Sequence, residues 1–405
     1  MAASLRLSLR HGRFWLSLAA CMGLACLELM TCPSPAAACP FCSAAGQTLT
    51  REVDQASMVL FGSLTNAKLN AEAFDQGTTD LQIESIIKKN DILGDKKVVV
   101  LPRYVPADKD TKYLLFCDVY KGKIDPYRGI PVKGNSDIVK YLQGAIAVKD
   151  KNVPTRLRFF FDYLDNADLE VANDAYNEFA AADYKDYREM AKDLPPDKIA
   201  KWLQDPSTPY RHGLYASMLG HCGTAKHAEV LRKLLDDAQK QASAGLDGML
   251  AGYIMLEPKE GWTYLKGILE NSKKEFMVRY AGLRAVRFLW NSRPDIIPAV
   301  DLEAGVAALL DQSDIADLAI EDLRLHKCWK VCDHVLGLAA KKSHDIPIVR
   351  RYIVRYALSC PKPEAANFVD GMRKKDPEMV KDIEEFLKLE NVAPAAKPIA
   401  AKKAT

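Results

Sequence analysis

The stretch "EFMVRYAGLRAVRFLWNSRPDIIPAVDLEAGVAALLDQ", Glu275 to Gln312, decides the fold of the larger, C-terminal part of the chain. Apolar residues recur in it at a period of 3.6, a short polar and proline break follows, and a second apolar helix pattern completes the segment. A helix pair of this kind cannot bury its apolar stripe alone. It therefore needs neighbours of the same type on both sides.

Segments with the same pattern precede and follow this stretch. An earlier unit begins at Arg156, and the others begin at Pro209, Gly245, Asp314 and Ile346, with the quoted stretch between the units at Gly245 and Asp314. From Pro209 onward the spacing of the units is irregular, about 30 to 40 residues, which is typical of helix-pair repeats. We therefore predict a HEAT-like α-α solenoid over residues 155–390, and the alternative is a helical bundle without repeat order.

Residues before this region have period two, with β-branched and aromatic side chains between about Ser57 and Val132. The predicted strands lie in "SMVLFGSLTNAKL", "TTDLQIESIIKK", "KKVVVLPRYV" and "KYLLFCDVYKGK", with a shorter fifth in "RGIPVKG". From Asp137 to Ile146 the pattern becomes helical. The predicted class is α+β multidomain, with a small OB-like β-barrel or sandwich in residues 39–150 before the solenoid. An open sheet of another topology is the alternative.

The two ends of the chain differ in composition from the rest of the sequence. Three arginines (Arg6, Arg10 and Arg13), the apolar run Phe14 to Met30 and Ala36-Ala37-Ala38 predict a signal peptide over residues 1–38. The protein is then exported, to the periplasm, the cell surface or the medium. A retained anchor and a lipid anchor on Cys21 or Cys39 are the alternatives. Residues 391–405 are Ala, Pro and Lys without core-forming side chains, and we expect them to be disordered.

Charge and hydropathy exclude two classes of partner. Lys and Arg number 56 against 53 Asp and Glu, so the formal net charge is only +3. Nucleic-acid binding would need a stronger basic field. After the signal there is no second long apolar run, so no membrane span is predicted in the exported chain.

Cys39-Pro40-Phe41-Cys42 forms a C-x-x-C pair at the start of the exported chain. Export favours oxidation, and we predict a structural disulfide from Cys39 or Cys42 to Cys117 in the strand "YLLFCDV". The alternative is a thiol-disulfide oxidoreductase. A catalytic pair normally follows a buried strand at the start of a helix, and no strand precedes this one.

The chain resembles a family of exported bacterial proteins, common in planctomycetes, in which a small β-domain precedes HEAT-like repeats. The stretches that carry the resemblance are "CPFCSAAGQTLTREV", "GKIDPYRGIPVKGNSDIVKYL", "MLGHCGTAKHAEVLRKLL" and "ALSCPKPEAANFV". The resemblance implies an architecture and not a reaction. The β-domain is also similar to the OB-type domain of netrin-like modules and tissue metalloprotease inhibitors. That similarity implies a second alternative, an inhibitor in which the amine and carbonyl of Cys39 bind a protease metal, although those inhibitors begin C-x-C.

Two clusters of cysteine and histidine are candidates for a metal site or a nucleophilic site. In "HKCWKVCDH" a single helix would place Cys328 and Cys332 about 40° apart and both histidines on the other side, so we predict buried cysteines and no metal site. His212, His221 and His227 surround Cys222 without a nucleophile turn, and helix capping explains them. No catalytic motif is found. We predict no enzyme activity, no cofactor and no metal.

Arginines recur on the helical part of the sequence. Arg351 and Arg355 share one helix face, and an earlier unit carries Arg279, Arg284 and Arg287. One helix of each pair lines the inner surface of a solenoid, where arginines can bind acidic groups of a partner protein. An ordinary solvated stripe is the alternative. The predicted function is that of an exported, non-catalytic protein-binding or scaffold protein.

Overall fold

A five-stranded antiparallel sheet precedes a long series of helices, which confirms the α+β class. The computed structural model describes residues 40–42, 46–70, 77–108, 110–237 and 245–392. The predicted signal peptide, Cys39 and residues 393–405 of the predicted tail lie outside these residues.

The sheet follows a short helix, α1 (Leu49–Gln55). Its strands are β1 (Met58–Leu69), β2 (Gly77–Lys88), β3 (Val98–Leu101), β4 (Lys112–Tyr120) and β5 (Lys123–Val132). Their order is β3-β2-β1-β4-β5, so β3 and β5 are edges and the hydrogen bonding is that of an open sheet, not of the predicted closed barrel. Pro126 and Pro131 lie in β5, where an edge position tolerates residues without an N–H.

The two faces of the sheet belong to different cores. Met58, Leu60 and Cys117 point into a small cluster that the strands make among themselves. Val59 and Phe116 point the other way, into the core that the helices share. This core crosses residues 150–155, where the sequence predicts a domain boundary, and Ala37–Leu387 form one compact unit.

The helices continue from the sheet almost without interruption. They are α2 (Ile138–Val148), α3 (Val153–Phe161), α4 (Leu169–Ala180), α5 (Tyr184–Ala191), α6 (Pro196–Gln204), α7 (His212–Cys222), α8 (Ala225–Asp236), α9 (Leu246–Leu256), α10 (Pro258–Leu269), α11 (Phe276–Ser292), α12 (Ala299–Ala307), α13 (Ala316–Leu325), α14 (Cys332–Gly337), α15 (Pro347–Ser359), α16 (Pro363–Lys375) and α17 (Pro377–Val392). Several begin with proline, whose fixed φ and missing N–H suit the first turn.

Helices α7, α9, α11, α13, α15 and α17, here called the odd row, contact one another in sequence order. Helix α9 packs against both α7 and α11, and α13 packs against α15. Arg287 of α11 bonds Asp322 of α13, 35 residues later. The Arg355 guanidinium of α15 lies 4.6 Å from the ring centre of Phe386 in α17. Contacts that recur between neighbouring units are the pattern expected of stacked repeats.

Helix α1 is held on α4 by two buried carboxylates. Asp174 accepts hydrogen bonds from the Leu49 N–H at 2.5 Å and from the Tyr141 hydroxyl at 2.8 Å. Glu178 accepts from the hydroxyls of Thr48 and Thr50. A carboxylate at a helix N-terminus satisfies N–H groups that have no partner within the helix, and this attaches α1 firmly to the helical part.

This attachment should depend on pH. Burial raises the pKa of Asp174 to about 6. The Asp174 carboxyl then binds its proton more tightly in the folded protein than in the unfolded chain. The contribution of the protonated Asp174 to the free energy of unfolding is therefore full below about pH 4 and is lost as pH rises through about 6. Since Asn cannot titrate, the stability of an Asp174→Asn variant relative to wild type should rise by about 2 to 3 kcal/mol between these limits. Urea unfolding of both proteins at pH 4 and 7.5 measures this, and a constant difference would contradict it.

Candidate functional site

The arginines predicted to bind a partner lie on the odd row, and all of them form ion pairs with acidic residues of neighbouring odd helices or of the turn before one. The pairs are Arg284–Asp247 (2.8 Å), Arg287–Asp322 (2.7 Å), Arg355–Glu321 (3.1 Å), Arg351–Asp382 (3.9 Å) and Arg279–Asp314 (2.6 Å). The sequence therefore located a real row of cations. It did not reveal the acid that holds each one.

Arg279 does not belong to an accessible surface. Its side chain is only 5% exposed. It donates to the Lys274 carbonyl, to Gln312 and, through two nitrogens, to Asp314. Arg279 thus ties α11 to the start of the next helix pair, and its predicted role in partner binding is corrected to one in helix packing.

Arg284 and Arg287 of α11 keep part of their guanidinium groups in solvent, at 41% and 31% exposure. Their partners Asp247 and Asp322 are buried, and burial raises the pKa of both carboxyls while the arginines oppose that rise. The acids fix the position of the cations, and both side chains remain partly exposed. Such fixed, half-exposed guanidinium groups can donate to the carbonyl or carboxylate oxygens of another chain.

One chain segment already occupies this surface, namely residues 40–42 of the protein itself. Arg284 donates through Nη2 to the Pro40 carbonyl at 3.2 Å. The Phe41 ring packs edge-on against Phe288, with 4.6 Å between ring centres, and is 5% exposed. An aromatic side chain thus lies beside a guanidinium that binds backbone, and one short segment makes both contacts.

Glycine makes room for this segment. A Cβ on Gly213 of α7 would lie 2.9 Å from the Phe41 carbonyl oxygen. Gly213, Arg284 and Phe288 thus form a notch on the odd row, here called the N-terminal notch. Sequence reasoning missed Phe41 as a functional residue, although "CPFC" places an apolar ring between two cysteines.

The predicted disulfide from the C-x-x-C pair to Cys117 is wrong. Cys117 is a free, buried thiol inside the small cluster of the sheet. Cys42 packs instead against the core shared with the helices. The two sulfurs belong to different cores because residues 40–42 dock on α11 and not on the sheet. The oxidoreductase and inhibitor alternatives both use Cys39, which lies outside the described residues.

The histidines around Cys222 have structural partners. His221 lies 3.0 Å from the Tyr184 hydroxyl, and burial lowers its pKa to about 3. The Cys222 thiol donates to the Met218 carbonyl, and burial raises its pKa to about 11. His227 caps α8 with Thr224. With its pKa lowered to about 3, His221 is too weak a base to take the proton of the Cys222 thiol.

The stretch "HKCWKVCDH" is not one helix. Helix α13 ends at Leu325, Lys327 has a φ of +56°, and α14 begins only at Cys332. Cys328 therefore lies in the turn and not on the face that carries Cys332, which corrects the helical geometry predicted for this cluster. Within the described part of the chain, no group of three or more His, Cys, Asp or Glu side chains is placed to hold a metal ion.

The sheet carries a separate cavity of about 130 Å³ between its two edges. Leu64, Leu81, Leu101 and Leu115 line it, and Tyr113 and Arg103 stand at its polar side. This volume suits one apolar side chain or a small apolar molecule. It lies on the opposite side of the sheet from the shared core.

No protein-family model, curated protein or solved structure matches this chain. None of the helices in the described residues has both the length and the apolar character needed to cross a membrane.

Proposed function

We propose that this protein is an exported, non-catalytic binding protein in which a HEAT-like solenoid holds a segment of a partner protein along its odd row. The resemblance to exported β-domain and HEAT-like proteins supports the architecture. So do the ion pairs that link α11 to α13 or the turn before it, and α13 to α15, at nearly constant sequence separation. The OB-like interpretation of the β-domain, in the sense of a partly open five-stranded sheet, is supported by the antiparallel order β3-β2-β1-β4-β5 and by a small core of its own.

The observation that carries this proposal is the docking of Pro40 and Phe41 in the N-terminal notch. The surface accepts an aromatic side chain and the carbonyl that precedes it, both from the short turn of residues 40–42. A partner segment of the same chemistry would place an aromatic anchor in the notch or beside it. Its carbonyl or carboxylate oxygens would accept hydrogen bonds from Arg284 and Arg287. Aromatic anchors surrounded by polar contacts provide most of the affinity in such interfaces.

Two variants should change peptide binding in opposite directions. Phe41→Ala empties the notch and should strengthen the binding of aromatic peptides several-fold. The reason is that the Phe41 ring, which competes with the peptide for the notch, is gone. Arg284→Ala should weaken binding about tenfold, since a guanidinium hydrogen bond to the peptide is lost. Peptides selected from a random library on the full chain, measured by fluorescence anisotropy, provide the test.

Arg373→Ala is the matched control. Arg373 is an exposed, ion-paired arginine on α16, outside the odd row, and contacts Asp370 and Glu384. Its loss should leave peptide affinity unchanged. Selected peptides that bind the Arg284→Ala and Arg373→Ala proteins equally, or a library that yields no binder tighter than about 1 mM, would refute a binding function of this surface.

A further inference from the structure

Two free thiols meet in the last part of the helical region. The Cys332 and Cys360 sulfurs lie 3.6 Å apart, although 28 residues separate them in sequence. Cys332 opens α14 and is fully buried, and Cys360 ends α15 and is 8% exposed. The sulfurs are thus in van der Waals contact across two neighbouring helices.

We propose that Cys332 and Cys360 are an oxidation site, at which an intrachain disulfide joins α14 to the end of α15. A disulfide needs a sulfur separation of about 2.05 Å, so the sulfurs have to approach by roughly 1.5 Å. Side-chain rotation and small helix shifts provide movements of that size. This inference is independent of the proposed binding function.

The reaction is thiol-disulfide exchange with a small-molecule disulfide such as oxidised glutathione. One cysteine thiolate attacks the disulfide, forms a mixed disulfide and releases one glutathione thiolate. The second cysteine then attacks the mixed disulfide, releases the other glutathione and forms the Cys332–Cys360 bond. Two protein thiols are oxidised, one disulfide is reduced to two thiols, and no other electron acceptor is needed.

The other free cysteines of the described residues are less suited to this reaction. Cys117 lies in the small cluster of the sheet, and Cys222 donates its thiol proton to the carbonyl of its own helix. Cys328 lies near the pair, since the Tyr356 hydroxyl binds its carbonyl, but its sulfur contacts the His326 carbonyl. The contact between Cys332 and Cys360 therefore selects one pairing.

Reaction in the folded state should be slow. Cys360 is nearly buried, and burial raises the pKa of Cys332 to about 12, so little thiolate is present at neutral pH. Attack then waits for local opening of the C-terminal helices. Low concentrations of urea should accelerate the oxidation several-fold without changing the pairing.

The test uses the full chain, first reduced and then incubated with oxidised glutathione. We expect the mass of the protein to fall by two hydrogens for this bond, and a peptide that contains Cys332 to appear linked to one that contains Cys360. The midpoint of thermal unfolding should rise by about 5 °C. The Cys360→Ser variant should lose the linked peptide, whereas Cys222→Ser and Cys328→Ser should keep it.

Three results would overturn the proposal. They are complete alkylation of both thiols after prolonged oxidation, mixed glutathione adducts that never resolve, and a linked peptide that joins Cys328 to either member of the pair. The wild-type measurement decides the matter even if Cys360→Ser fails to fold.

Discussion

Gly248→Ala should destabilise the protein by about 3 kcal/mol or more, because helices α7 and α9 touch through their backbones at this residue. A Cβ on Gly248 would lie 2.3 Å from the Gly213 carbonyl oxygen and 2.5 Å from the Gly213 Cα. Backbone atoms cannot rotate away as a side chain can, so the two helices must separate. Separation would also disturb the N-terminal notch, since Gly213 is one of its walls. Urea unfolding followed by circular dichroism gives the free energy.

Gly267→Ala provides the matched comparison. Gly267 lies within α10, is exposed and has no neighbouring atom within 4 Å of an added Cβ. Alanine there should stabilise the protein by about 0.5 to 1 kcal/mol, because glycine is a poor helix former. If both variants were as stable as wild type, α7 and α9 would not approach as closely as the structure shows.

The change from a sheet to helices could be predicted because it depends on local periodicity. Strands β1, β2 and β4 coincide with their predicted segments to within about three residues, and the helix predicted from Asp137 to Ile146 is α2. Strand β5 begins earlier than predicted, at Lys123. Its two prolines argue against a strand in the sequence, although an edge strand tolerates them. Alternation and helical period report which side of an element is buried. They do not report what covers it.

The partners of single side chains could not be predicted, because they depend on distant contacts. Pro40 and Arg284 are 244 residues apart in sequence, and no local pattern joins them. The same limit applies to Cys117, whose strand was predicted correctly while its disulfide was not. Predicting a disulfide requires the relative position of the two segments that carry the cysteines. The sequence predicts each segment but not how the two lie relative to each other.

The break in "HKCWKVCDH" illustrates a different limit. Helix α13 ends with Lys327 in the left-handed region, and the Cys328 N–H donates to the Leu323 carbonyl at 2.8 Å. This is the hydrogen bond of a Schellman motif, in which glycine usually occupies the left-handed position. Since lysine stands there, the sequence lacks the expected signal for a helix end. The sequence pattern therefore predicts one helix through both cysteines, and it does not indicate the contact between Cys332 and Cys360.

Arg279→Met should cost about 3 kcal/mol of stability, because it removes a buried cation that several groups depend on. Gln312 would lose a buried hydrogen bond, the partly buried Lys274 carbonyl would lose another, and Asp314 would lose both of its contacts. Asp314 is 54% exposed, so water can replace the arginine there, and the cost arises mainly from the oxygens of Gln312 and Lys274 that are left without partners. Methionine keeps most of the volume, so the loss reports the polar contacts and not a cavity. Chemical unfolding measures it.

Arg351→Met tests the same substitution at the exposed end of the odd row. Arg351 is 45% exposed, and its nitrogen lies 3.9 Å from Asp382. Solvent screens such a pair, so the change should stay within about 0.5 kcal/mol. The two arginines have the same residue type and lie on the same row of helices, and they differ in burial. A loss of stability below about 1 kcal/mol for Arg279→Met would show that solvent already reaches this arginine. Arg279 would then belong to the exposed, partner-binding surface that the sequence predicted.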